Sequence, residues 1–378
     1  MRDEEVRKAG LYIHIPFCLS KCGYCHFYSV TSLSLIPDFL KALFQEMEIV
    51  SEGFGPFNTV YIGGGTPSLL NPGQIEEILK RVRQRFVLSS NPEITLEANP
   101  ADLTLSFLQS LKRFGVNRLN IGVQSFNEKI LGFLGRRHIA GEAISALEDS
   151  RRAGFDNIGL DLIYGVPGQD LKSWQETLEK AMMFRPEHLS CYELTVEAET
   201  PLGMRWRRGE FLLPGGDEGY PFFLETAEWL ENAGYVHYEV SNFARGGAFA
   251  SRHNQKYWNH APYLGLGPAA HSFLDHQRWW NHRCLDQYIR DGKEGKRPIE
   301  GKETLTMEQL RLEGLFLGFR TKKGIHLKEF AEQYGYDLMA QKKGVLTKLL
   351  DEGLLSIEAD HLVPTRAGLA VADHLALI

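Results

Sequence analysis

Six short apolar runs alternate with five longer segments of helical periodicity over the first two thirds of the chain, and no other feature restricts the fold as strongly. The runs are Leu11–Ile15, Thr59–Ile62, Glu93–Glu97, Arg118–Val123, Asn157–Ile163 and His188–Leu194. Between them lie Ile36–Glu48, Gln74–Phe86, Leu103–Phe114, Gly141–Ala153 and Leu171–Met183. Strand-length runs separated by helices are joined by crossovers, so neighbouring strands are expected to run parallel. Six units are too few to close an eight-stranded barrel. The pattern therefore predicts an α/β fold, either a partial (βα)6 barrel or an open doubly wound sheet. In both, ligands lie beyond the carboxyl ends of the strands. Gly63–Pro67, Glu97, Gln124 and Asp161–Gly165 fall at or just past those ends.

At 378 residues, the chain has room for one large α/β unit and a small module. Its 43% hydrophobic and 24% charged residues describe a folded globular protein. The densest basic stretch, Arg205–Arg208, is interrupted by Trp206, so no nucleic-acid partner is expected. Met1–Gly10 is charged and lacks the apolar core of a signal peptide, and no apolar run reaches membrane-spanning length. A cytoplasmic location is expected, with peripheral membrane contact left open. We divide the chain at 1–240, 241–300 and 301–378. The middle segment is rich in histidine and aromatic residues (His253, Trp258, His260, His271, His276, Trp279, Trp280, His282) and runs into the polar, linker-like stretch Asp291–Thr304. The last segment shows helical patterns at Met307–Phe316, Leu327–Tyr334 and Leu338–Asp351, a strand pair at Leu354–Val363 and a final helix at Arg366–Leu377. This predicts a small winged-helix-like α+β domain. Without a concentrated positive face, it suits contact with protein or substrate better than with DNA.

Three of the five cysteines fall within eight residues, Cys18-Leu-Ser-Lys-Cys22-Gly-Tyr-Cys25, directly after the first apolar run. An odd total in a chain without a secretory signal argues against a disulfide framework. A cubane iron–sulfur cluster needs four iron ligands, so three thiolates leave one iron open for the amino and carboxylate groups of S-adenosylmethionine. The competing reading is zinc held by the three cysteines plus His14 or His26. Gly63–Gly65 offers side-chain-free backbone at a strand end and lacks the Gly-Lys-Ser/Thr ending of a phosphate loop. It fits either ligand contact or a tight turn. Glu97, Gln124, Arg136 and Asp161 suit a zwitterionic nucleoside, since carboxylates accept ribose hydroxyls and a guanidinium pairs with a carboxylate. Tyr12 and Tyr24 suit either stacking or core packing. His253 carries an imidazole that can ligate haem iron, beside Tyr257 and Trp258 as flat walls; a structural turn held by Asn254 is the alternative.

Several strings together carry a family resemblance: Tyr12-Ile-His-Ile-Pro-Phe-Cys18, Gly63-Gly-Gly-Thr-Pro67, Arg118-Leu-Asn-Ile-Gly-Val-Gln-Ser-Phe126, Leu134-Gly-Arg-Arg-His138, Leu160-Asp-Leu-Ile-Tyr-Gly-Val-Pro167 and His253-Asn-Gln-Lys-Tyr-Trp258. The chain resembles the radical S-adenosylmethionine superfamily over nearly its whole length, within the coproporphyrinogen-oxidase-like branch, and the last string resembles the haem-chaperone subgroup. The resemblance implies Cys18, Cys22 and Cys25 as ligands of a [4Fe-4S] cluster. It implies Tyr12, Tyr24, Gly64, Gly65, Thr66, Glu97, Gln124, Arg136 and Asp161 around S-adenosylmethionine, His253 in haem binding, and haem-accepting proteins as partners. Radical decarboxylation of coproporphyrinogen III is the competing function. Two departures disfavour it: the oxidase's further cysteine is here Phe27, and only 17 residues precede Cys18 where the oxidase has a long arm. A radical enzyme acting on haem itself would use the same cofactors. His26 stands where the chaperone subgroup often has an acidic residue.

Overall fold

The computed structural model describes residues 8–50, 53–213 and 219–378; of the charged Met1–Gly10 stretch, residues 1–7 lie outside these. The first half alternates as the periodicity requires: β1 (Ala9–Ile15), α1 (Ile36–Ile49), β2 (Phe57–Gly64), α2 (Pro72–Arg85), β3 (Leu88–Ala98), α3 (Leu105–Arg113), β4 (Arg118–Gln124), α4 (Glu128–Leu134), α5 (Ala140–Arg152), β5 (Ile158–Tyr164), α6 (Leu171–Met182) and β6 (His188–Glu193). Each of β1 to β6 pairs in parallel with the next, giving the partial barrel. Local chemistry sets the helix starts. Asn71 and Gln74 form a reciprocal capping box on α2 with Pro72 in its first turn, Thr104 caps α3, and Asp170 caps α6. The short α4 escapes the periodicity because it has only seven residues and ends at once on Gly135, whose φ of 71° suits glycine.

Along the strands, every second residue is a large aliphatic one turned to the helices. Leu11, Ile13, Ile15, Val60, Ile62, Leu96, Leu119, Ile121, Leu160 and Leu162 are all fully buried. The residues between them face the concave side and are polar: Tyr12 and His14, Thr59 and Tyr61, Thr95 and Glu97, Arg118 and Asn120, Asp161, His188 and Ser190. Parallel strands buried on both faces are normally apolar throughout. A polar inner face marks a lumen instead of a second apolar core.

The remaining chain extends the same sheet. It contributes α7 (Pro201–Arg207), α8 (Gly219–Asn232), β7 (Val236–Glu239), β8 (Asn242–Ala244), α9 (Asn254–Trp258), β9 (Tyr263–Leu266), β10 (His271–Leu274), β11 (Gln277–Asn281), α10 (Leu285–Lys293) and β12 (Ile299–Thr304). The twelve strands lie in the order β12-β11-β10-β9-β1-β2-β3-β4-β5-β6-β8-β7, with β9 parallel to β1 and the outer strands antiparallel. The stretch Asp291–Thr304, expected as a linker, is the end of α10 followed by edge strand β12. Its side chains are largely exposed, so an edge position makes it polar without making it irregular.

The C-terminal module comprises α11 (Met307–Phe319), β13 (Ile325–His326), α12 (Leu327–Tyr334), α13 (Leu338–Gln341), α14 (Lys343–Asp351), β14 (Leu355–Glu358), β15 (His361–Pro364), α15 (Arg366–Ala370) and α16 (Ala372–Leu375). Its small sheet has the order β13-β15-β14. Leu310, Leu315, Phe319, Phe330, Leu346 and Leu362 form its core, joined by Phe273 from β10. Two helices expected as continuous are each broken, at Lys342 and Val371, where φ near −120° leaves the helical range. Among the described residues no helix is long and apolar enough to cross a membrane.

Candidate functional site

The cysteine loop leaves the carboxyl end of β1 and is tied down on both sides. Cys18 N–H donates to Val30 O at 3.0 Å, Val30 N–H to Pro16 O at 2.7 Å, and Leu202 N–H to Gly23 O at 2.8 Å. Cys18, Cys22 and Cys25 are all partly exposed. Thr66 Oγ1 donates to Cys18 Sγ at 3.4 Å, and Arg136 Nη1 to Cys22 Sγ at 3.4 Å. Among the described residues, His26, Glu197 and Glu199 form the one trio of histidine, cysteine or acidic side chains whose ligand atoms all lie within 4.8 Å of one another; the three cysteine sulfurs do not form such a trio. Thiolates around one zinc ion at about 2.3 Å would sit roughly 4 Å apart. The three sulfurs therefore do not form a preassembled tetrahedral zinc site. His26 faces Glu197 at 3.8 Å, on the exposed outside of the loop.

The Gly63–Gly65 turn is dictated by close approach. Gly64 has φ 109°, and a Cβ on it would lie 2.5 Å from the His14 ring; one on Gly65 would lie 2.6 Å from Phe17 O. Gly65 N–H donates to Ile15 O at 2.8 Å and Thr66 N–H to Phe17 O at 2.7 Å, pinning the turn against the root of the cysteine loop. His14 completes the clamp. Its Nε2 lies 2.9 Å from Tyr28 O, which can only accept, so Nε2 carries the proton and Nδ1 accepts from the Tyr12 hydroxyl at 3.0 Å. Burial lowers the His14 pKa to about 4, keeping the ring neutral.

Beyond the loop, the other expected residues meet on the concave face. Tyr61 donates to Glu97 Oε1 at 2.7 Å, and Gly64 N–H to Glu97 Oε2 at 3.0 Å. Burial, reinforced by Asp161, raises the Glu97 pKa to about 7. Asn120 donates to Asp161 Oδ2 at 2.7 Å, and Ser190 adds a hydrogen bond to the same carboxyl. Asp161 is likewise pushed up by burial. Arg136 spans Cys22 and the carbonyl of Gly122, at 2.7 Å from the latter, and hydrogen-bonds Tyr24. Gln124, at φ 66°, turns into the same corner: a Cβ on Gly122 would lie 3.0 Å from Gln124 Nε2 and 3.3 Å from Arg136 Nη2. Gln124 Oε1 and Arg136 Nε are buried and unpaired. Buried polar atoms without partners are costly, and here donors and acceptors are left over side by side, as a zwitterionic ligand needs. Tyr24 also packs on Ile130, Leu134 and Leu202. Tyr61, Asn120 and Gly122 belong to this arrangement and were not among the expected residues, and His14, weighed only as a zinc ligand, belongs to it through its hydrogen bonds to Tyr12 and Tyr28. Their signal lay in the polar residues alternating with aliphatic ones along each parallel strand.

His253 stands apart from this group. It contacts Gly10 and Thr59, near the starts of β1 and β2, whereas the cysteine loop follows the end of β1. Its ring is 1% exposed and both nitrogens are engaged, Nδ1 with Thr59 Oγ1 at 2.8 Å and Nε2 with Tyr257 OH at 3.0 Å. It stacks on Tyr61 at 5.0 Å, and its backbone N–H donates to Glu93 Oε1 at 3.0 Å. Burial pushes its pKa to about 3. In this arrangement both ring nitrogens of His253 hydrogen-bond to hydroxyl groups of the fold, near the amino-terminal ends of β1 and β2. His260 pairs with Glu313 and Tyr334, and His271 stacks on Trp280.

The radical SAM superfamily pattern matches residues 12–181, and the HemN C-terminal domain pattern matches residues 305–371. Among curated relatives, "Heme chaperone HemW" of Mycobacterium tuberculosis is 36% identical over 371 residues, covering 96% of this chain and 93% of its own. "Heme chaperone HemW" of Bacillus subtilis is 36% identical over 349 residues, covering 91% and 92%. Of the solved structures, coproporphyrinogen III oxidase (HemN) from Escherichia coli superposes with a TM-score of 0.84 at 24% identity, covering 99% of this chain and 91% of that one. That likeness establishes the shared fold, a partial radical SAM barrel followed by a C-terminal domain. A fold of this kind, a three-cysteine loop at the carboxyl end of its first strand and relatives matched end to end place the chain in the HemW family of the radical SAM superfamily.

Proposed function

We propose that this chain is a cytoplasmic haem chaperone that carries a [4Fe-4S] cluster on Cys18, Cys22 and Cys25, binds S-adenosylmethionine beside it, and binds haem and passes it to haem-accepting proteins. The observation that carries the reading is the pairing of an open trio of thiols with unpaired polar atoms on Gln124 and Arg136 at the same end of the lumen. Arg136 is positioned to pair with the methionyl carboxylate, Glu97 and Asp161 to accept ribose hydroxyls, and Tyr12, Tyr24, Gly64, Gly65, Thr66 and Gln124 to frame the ligand. When bound, the cluster supplies an open iron for chelation and a source of an electron. The chain's own contribution is to hold and orient: the His14–Tyr28 contact and the Gly64–Gly65 turn fix the loop, and Tyr24 anchors it on the apolar Ile130–Leu134–Leu202 group. The name of the curated relatives supports haem handling. Phe27, 71% exposed where the oxidase has a further cysteine, weighs against decarboxylation.

The test is one anaerobic preparation. Reconstituted protein should show iron–sulfur absorption, bind haem, and yield no protoporphyrinogen from coproporphyrinogen III. Decarboxylation above that of a Cys25→Ala variant would assign the chain to the oxidase activity instead.

A further inference from the structure

Two of the three sulfurs in the cysteine loop accept a hydrogen bond from a side chain on another loop. Thr66 Oγ1 donates to Cys18 Sγ and Arg136 Nη1 to Cys22 Sγ, each at 3.4 Å. Both donors are held. The Thr66 backbone is pinned on either side, its N–H by Phe17 O at 2.7 Å and its carbonyl by Leu69 N–H at 3.0 Å. Pro67 follows at once and opens a single 3-10 turn. The Arg136 guanidinium is anchored by its other terminal nitrogen, Nη2, on Gly122 O at 2.7 Å. A guanidinium has five N–H groups, so these two bonds leave others for a carboxylate ligand.

The loops that carry the two donors are tied to each other through Asp102, in the turn after β3. Ser68 Oγ, two residues beyond Thr66, donates to Asp102 Oδ2 at 2.6 Å and accepts from Asn99 N–H at 3.1 Å. Arg137, next to Arg136, forms an ion pair with the same Asp102 oxygen. The Asp102 and Arg137 side chains are 10% and 21% exposed and Ser68 is buried, so solvent screens this brace less than it would a surface pair. Asp102 thus reaches the sulfurs through the two loops it joins.

A thiolate that ligates an iron–sulfur core gains electron density when the core takes up an electron, and a donor aimed at it then binds more strongly. Hydrogen bonds to ligand sulfur therefore favour the reduced state and raise the reduction potential. We propose that Thr66 and Arg136, kept in register by the Asp102 brace, set the reduction potential of the [4Fe-4S] cluster by donating to the Cys18 and Cys22 sulfurs. This rests on the cluster ligation proposed above and deepens it: Thr66 and Arg136 act on the cluster as well as on S-adenosylmethionine, and Ser68, Asp102 and Arg137 are positioning residues. The step itself is a one-electron reduction. The electron passes from a reductant such as dithionite into the core, and no bond of the protein forms or breaks.

An anaerobic redox titration of the full-length reconstituted protein with dithionite, read by electron paramagnetic resonance without S-adenosylmethionine, tests this. Thr66→Val removes the hydroxyl and should lower the reduced-to-oxidised ratio at a fixed potential about tenfold; for one electron a tenfold change is ~59 mV. Thr66→Ser should restore the wild-type ratio. Arg136→Gln removes a charge as well as a donor and should shift the ratio the same way by a larger factor, Asp102→Asn by a smaller one. A wild-type potential in Thr66→Val, or an equal shift in Thr66→Ser, would overturn the role of the hydroxyl. Arg136→Gln decides the matter if the Thr66 variants assemble no cluster: an unchanged potential there would overturn the inference. Wild-type behaviour of Asp102→Asn would overturn the brace. A wild-type protein that takes up no iron or sulfide would instead overturn the proposed function.

Discussion

The two ends of the lumen are built from the same strands and finished in opposite ways. At the amino-terminal end, His253 is held by the fold: its imidazole is fully buried, both nitrogens are hydrogen-bonded, and Glu93 accepts from two consecutive backbone N–H groups, those of Arg252 and His253. At the carboxyl end, the cysteines are partly exposed and Gln124 and Arg136 keep unpaired atoms. Polar residues satisfied by the fold hold it together. Buried side-chain atoms without a partner occur elsewhere in the fold too, and those of Gln124 and Arg136 are the ones that lie beside the cysteine loop. The contrast sets a histidine whose ring is fully engaged by the fold against a corner where polar atoms are left over beside the cysteines.

That division makes predictions of graded size. Replacing Cys22 or Cys25 by Ala should abolish iron–sulfur absorption after reconstitution while the thermal midpoint of the apo-protein barely moves, because neither thiol is buried in the scaffold. His253→Ala should do the reverse. It removes a fully buried ring, two hydrogen bonds and a stack on Tyr61, and should cost about 3 kcal/mol in denaturant unfolding while folded protein still assembles its cluster. A haem-specific defect in a variant of unchanged stability would break the division. Gly64→Ala lies between the two. A side chain at φ 109°, pressed on His14, should cost about 2 kcal/mol and also lower cluster occupancy by displacing the loop, as iron and sulfide analysis would show.

The smallest effect concerns Glu97. Its pKa of about 7 means that the carboxyl is largely protonated at pH 6 and ionised at pH 8. An ionised carboxylate accepts hydroxyl donors more strongly, so affinity for S-adenosylmethionine should rise as pH increases through 7, by a few-fold, or about 1 kcal/mol. Glu97→Gln should bind more weakly at pH 8 and show a flat profile. A Glu97→Gln variant that keeps the wild-type slope would detach this carboxyl from the ligand.

Much of this was legible in the chain itself. The six runs and five intervening helices of the first half appear within one to five residues of where periodicity puts them, because parallel strands and their crossover helices are each long enough to display a period. The cysteine trio and Gly63–Gly65 were readable because their chemistry depends on local spacing. What escaped was non-local. Strands β7 to β12 are short and gain their hydrogen bonds from β1, β6 and one another, so no window of sequence announces them. Tyr61 matters through Glu97, 36 residues away, and His14 through Tyr28. His253 sits in a string that suggests a ligand, and only the fold shows that Thr59 and Tyr257 engage both of its ring nitrogens.

The central claim, that three thiolates leave one corner of a cubane vacant for S-adenosylmethionine, has a direct measurement: electron paramagnetic resonance of the reduced, anaerobically reconstituted protein with and without S-adenosylmethionine, alongside metal and sulfide analysis. The account predicts about four irons and four sulfides per chain and a spectrum that changes when S-adenosylmethionine is added. Protein that carries zinc and takes up neither iron nor sulfide, or a cluster whose spectrum ignores the ligand, would contradict it.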